Sequence, residues 1–200
     1  AGQSSSGVGS DVLLSGGDSD SSGTGGDVVI TTGAGANSGV LALTSKSAHS
    51  QSGEVTLASG TSTEGASGTV SVQSGASETG SSGDVHVSSG ESDTTSGAVV
   101  VSSGRSAATS GDVSIFTDSA FGSSGQLQLS TGASATAVSG LIELSSGSSA
   151  TAATGDVVIA SGMSDAGRAG SIALRVGASS SGVAGTIDLV GGDAADVGGS

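Results

Sequence analysis

A glycine precedes an aliphatic pair at Gly26, Gly39, Gly53, Gly68, Gly83, Gly97, Gly111, Gly125, Gly140, Gly155, Gly170 and Gly185, and Ser10 takes the same place at the start. Successive units lie 13 to 16 residues apart. With the leading residue numbered zero, positions two and four are aliphatic in all thirteen units, from Val12/Leu14 and Val28/Ile30 through Val85/Val87 and Val99/Val101 to Ile172/Leu174 and Ile187/Leu189. A separation of two puts both side chains on one face of an extended backbone. Composition alone would scatter these residues, so the period is the first constraint on any fold.

The rest of the unit is equally patterned. Position six is usually Ser or Thr, as at Thr32, Ser59, Ser74, Ser89, Ser103, Thr117 and Ser161. Position seven is glycine in eleven units, with Lys46 and Asp118 as the exceptions. A recurrent glycine there predicts positive φ at a tight corner. Position nine is always small, as at Ser62, Ser77, Ser92 and Ser164, and another small residue recurs three places before the next leading glycine, as at Gly65, Gly80, Thr94 and Ala108. Each unit thus carries its bulk on one segment and only small side chains on the return.

A unit of this length is too short for a strand plus a helix, but it suits two short strands and two turns. The expectation is an all-β, single-stranded β-solenoid, parallel β-helix-like, with about 13 coils of 14–15 residues running as one continuous array over 1–200. Stacked coils would hydrogen-bond in parallel at roughly 4.8 Å per step, with Val85 directly above or below Val99. The margin for such stacking is thin. Two buried aliphatics contribute about 3–6 kcal/mol per coil, whereas ordering each residue costs on the order of 1–2 kcal/mol. Neighbouring coils would have to supply the remainder. No capping sequence stands out near either end, so the array reads as a piece of a longer chain or one whose ends join other copies. The start at Ala1, without Met or a signal peptide, reads as that of a mature product or an excised piece of something longer.

Composition narrows the function classes. Glycine is 38 of 200 residues, serine is more abundant still, and Phe116 and Phe121 are the only aromatics. Eighteen acids face four bases, for a net charge of −14. No basic patch exists to displace phosphate counterions, which argues against nucleic acid, and no apolar run is long enough to span a membrane. Acids recur at position one, as at Asp11, Asp27, Glu54, Asp84, Asp112 and Asp156. They read as spaced charge on a solvated face. With no cysteine there are no disulfides and no Cys metal sites.

No catalytic constellation emerges. His49 and His86 sit at unrelated places in the unit, and neither HExxH, G-x-S-x-G nor a Walker loop is present. The one metal candidate is Asp18-Ser-Asp20-Ser-Ser22-Gly23, whose alternating oxygens followed by glycine have the order of the start of a calcium loop. Asp18, Asp20 and Ser22 would be its ligands, but the twelfth position is Val29 where a bidentate Glu is needed. Glu91 and Asp93 form a weaker pair. A cofactor is otherwise not expected. Several ice-binding proteins are flat β-solenoids with ranks of Thr on one face; here only Thr61/Thr63 forms a Thr-x-Thr pair among the outward positions compared, where a regular ice template would be cleaner.

Units such as Gly83–Ser92 and Gly155–Ser164, of the form G-[DST]-V-x-[VIL]-x-S-G-x-S, resemble Ser/Gly-rich repeats in very long predicted extracellular proteins of marine microalgae. The resemblance covers essentially the whole chain at the level of the repeat. It implies a secreted or surface structural role such as fibre, hair, sheath or adhesive, and it carries over no functional residue. The expected function is therefore a non-enzymatic structural rod or filament component, extracellular or at the cell surface. It would associate with itself end to end or side by side, or with other structural proteins. The alternative is a surface-binding solenoid of ice-binding, adhesive or calcium-dependent type.

Overall fold

The computed structural model describes residues 7–20 and 22–192. The chain divides into two units, Ala1–Val101 and Ser102–Ser200, with the division between positions four and five of the repeat that begins at Gly97. The terminal stretches in which the sequence offers no cap, 1–6 and 193–200, lie outside the described residues.

Among the described residues the backbone forms neither helix nor strand. This overturns the expected all-β solenoid of about 13 coils. Three backbone–backbone hydrogen bonds form among the described residues, from Gly23 to Asp20, Gly26 to Gly17 and Gly39 to Gly33, and none links residues a full repeat apart. No side chain is buried among the described residues, and Val85 remains 52% exposed. The chain presents 19516 Å² to solvent, against about 8,000 Å² for a compact protein of 18.1 kDa. The physical reason is the thin margin of each repeat. Two aliphatic side chains do not offset the entropy of ordering a glycine-rich unit, because glycine loses more freedom than any other residue.

What survives is local. Where positions two, three and four are all aliphatic, at Val12–Leu14, Val28–Ile30, Val99–Val101 and Val157–Ile159, the backbone keeps the alternation of an extended segment. Val28, Val29 and Ile30 are 48%, 78% and 55% exposed, so positions two and four are the more sheltered and position three faces outward. Side chains two apart meet on the outward face. In the first unit Thr56 Oγ1 donates to Glu54 Oε1 at 2.8 Å, and His86 Nε2 lies 3.8 Å from Asp84 Oδ2. In the second, Thr186 Oγ1 donates to Asp188 Oδ2 at 3.3 Å. All three are position-one to position-three pairs.

Position seven departs from its expected geometry. Among the described residues Gly7, which precedes the repeats, is the one glycine with positive φ, at 125°. The position-seven glycines Gly60, Gly75, Gly90 and Gly104 are not tight corners, and a methyl group added at any of them would meet no atom within 4 Å. Open space explains why Lys46 and Asp118 are accommodated at this place. The Asp118 carboxylate there accepts the Ser119 amide at 2.7 Å.

Candidate functional site

Two recurring contacts build the repeat. The first joins position six to the next leading glycine, seven to nine residues later. A methyl placed on Gly39, Gly53, Gly68, Gly83 or Gly97 would lie 3.4–3.9 Å from the side chain of Thr32, Ser45, Ser59, Ser74 or Ser89 respectively. In the second unit Gly125 faces Thr117, Gly140 faces Thr131, Gly170 faces Ser161 and Gly185 faces Val176, at 3.2–3.7 Å. Position six is also where the chain is most enclosed. Gly16, Ser74 and Ser103 are the described residues that are half-buried rather than exposed, and all three hold this position. Where position six is Gly16, the two backbones themselves touch, and a side chain on Gly16 would collide with the Gly26 carbonyl.

The second contact is a hydroxyl-capped bend. The position-nine serine accepts the backbone N–H of the small residue three places on. Gly65 donates to Ser62 Oγ at 3.1 Å, and Gly80 to Ser77 Oγ at 3.0 Å. In the second unit Ala137 donates to Ser134, Ala152 to Ser149 and Gly167 to Ser164, at 3.0–3.1 Å. Thr94 and Ala108 make the shorter version, to Ser92 and Ser106 two residues back. A serine hydroxyl offers the backbone an acceptor that would otherwise come from a neighbouring strand. The sequence displayed the small residues at both places but not the bond between them. Their constant spacing of two or three was the available signal.

Of Asp18, Asp20 and Ser22, the structure joins the last two in one turn of the first unit. Asp20 Oδ1 accepts the Ser22 hydroxyl at 2.8 Å and the Ser22 amide at 3.1 Å, and the Gly23 amide donates to the Asp20 carbonyl at 3.2 Å. The Ser22 hydroxyl first, then the Ser22 and Gly23 amides, hold the Asp20 carboxyl below the usual aspartate value. The arrangement closes an Asx turn. Among the described residues no three His, Asp or Glu side chains gather into a metal-binding group. Glu91, Asp93 and His49 are exposed. An open concavity lined by Ser119, Ala120 and Phe121 brings together no acid, base or nucleophile-and-base pair.

The remaining surface feature is apolar. Every described position-two and position-four side chain is exposed. No helix among the described residues is long and apolar enough to cross a membrane. No family model, curated protein or solved structure matches the chain.

Proposed function

We propose that the chain is a non-catalytic structural segment of an extracellular or cell-surface material, and that it associates with further copies through its aliphatic pairs. The observation that carries the reading is the thirteenfold recurrence of those pairs, left open to water wherever they are described. Repeated apolar surface of this kind is a signature of an interaction face. A second copy is the partner whose apolar groups recur with the same spacing. The acids interspersed at position one keep separate chains apart at low ionic strength and so oppose unspecific collapse.

Sedimentation velocity of the full chain over a range of concentrations, with negative-stain microscopy of the heaviest fractions, tests this. Concentration-dependent growth into elongated particles is the expected result. A chain that stays monomeric at high concentration and moderate salt overturns the association. Hydrolytic or transfer activity in the purified chain overturns the non-catalytic reading.

A further inference from the structure

We infer that the repeats store length, so that the chain serves as a compliant, extensible tether. The basis is the position-six closure. At nine leading glycines, from Gly39 to Gly185, an added Cβ would lie 3.2–3.9 Å from the position-six side chain of the preceding unit, across spans of seven to nine residues. Such a span measures roughly 25–30 Å when drawn out, at about 3.3–3.6 Å per residue. In the closed form its ends stand only about one methyl group apart, since an added Cβ would fill the space between them.

The closures hold weakly and separately. Each leaves room for about one methyl group between the position-six side chain and the leading glycine, and in one case the Thr117 hydroxyl donates to the Gly125 carbonyl at 3.3 Å. The hydroxyl-capped bends lie inside the same spans, as Ser62–Gly65 does between Ser59 and Gly68. No closure encloses another. Tension therefore opens them one at a time, without a cooperative unit that must break first. A span this short recloses readily, because loop-closure entropy rises only slowly with length. The result is a low-force reserve of length distributed along the chain. Its biological use rests on the structural reading above, but its existence does not depend on association.

Single-molecule pulling of the full chain between terminal handles tests the inference. A smooth rise in force that retraces on relaxation is expected. Sawtooth rupture with hysteresis, releasing whole repeats, overturns it. A second measurement uses the absence of native cysteine. Dyes are placed through Gly122→Cys and Gly147→Cys, where a side chain meets no atom within 4 Å, so that they bracket the Thr131–Gly140 closure. Adding Gly140→Ala should lower energy transfer between them by weakening that closure, and Gly155→Ala should leave it unchanged. Equal transfer in the two variants overturns the inference. Both readouts use isolated molecules, so failure of self-association in sedimentation leaves them standing, and the reverse holds as well.

Discussion

The hydroxyl of Thr117 donates to the carbonyl oxygen of Gly125, 3.3 Å away and eight residues along the chain. The same two places in the repeat, position six and the next leading glycine, meet at eight other leading glycines without that bond. A side chain on the leading residue would be crowded at Gly140 and Gly185, where an added Cβ would lie 3.2 and 3.3 Å from position six, and would make ordinary contact at the other seven closures.

Gly140→Ala and Gly155→Ala should therefore differ, although both alter a leading glycine. The added methyl would lie 3.2 Å from Thr131 Cγ2 at the first site and within 4 Å of nothing at the second. A nuclear Overhauser contact between the Thr131 methyl and the residue-140 α-proton should weaken several-fold in the first variant. The Ser146 to residue-155 region should retain its native shifts in the second. Equivalent perturbation of both would remove packing as the reason for the glycine.

Ser77→Ala should free one amide and little else. The Gly80 N–H loses the Oγ acceptor that it holds at 3.0 Å. A net hydrogen bond contributes about 0.5–1.5 kcal/mol, so exchange of the Gly80 amide should quicken by no more than roughly tenfold. Amides in the units on either side should not change. Loss of protection spreading beyond the unit would show cooperativity between repeats.

The Asp20 turn should respond to acid. Its carboxyl lies below the ordinary aspartate value of 3.8 because the ionised form accepts the Ser22 hydroxyl and amide. A depressed acid supports the folded turn above its unfolded pKa, and that support is lost as pH falls through the lower, folded value. The Ser22 amide shift should accordingly titrate with a midpoint below 3.8. Asp20→Asn should abolish the titration. A midpoint at or above the ordinary value would contradict the turn.

Val85→Asp should be tolerated by the isolated chain. Val85 is half exposed, so the new carboxylate is not forced into an apolar interior. The far-ultraviolet circular dichroism spectrum should match that of the unsubstituted chain and should show no β-sheet minimum. The same substitution should reduce association. A large change in the monomer spectrum would place Val85 in a buried core.

Salt should favour association. With a net charge of −14, copies repel over a Debye length of about 30 Å at 0.01 M salt and about 10 Å at 0.1 M. The mean sedimentation coefficient at fixed concentration should rise between those conditions. A fall would mean that ion pairs, not apolar contacts, hold the copies together.

The repeat and its inward and outward parities were legible because they are properties of a few consecutive residues. Position three is more exposed than its neighbours at Val28–Ile30, and Glu54/Thr56 and Asp84/His86 meet across one face as alternation requires. The stacking of Val85 on Val99 was not legible in the same way, and the solenoid inferred from it is not formed. The calcium-like order of Asp18, Asp20 and Ser22 was likewise a pattern of residue types, whereas the bonds from Ser22 to Asp20 are a matter of local geometry.

By itself, the order of amino acids determined the period, the acidic and serine-rich surface, and which side chains share a face. These depend on the directions of adjacent bonds and on charge counts. Only the tertiary structure decided that no coil lies on another among the described residues, and that position six closes towards the next leading glycine. Both outcomes turn on the balance between apolar burial and chain entropy over many residues. With two aliphatics per repeat and glycine throughout, that balance stops at loops of seven to nine residues and does not extend to stacking one repeat on another.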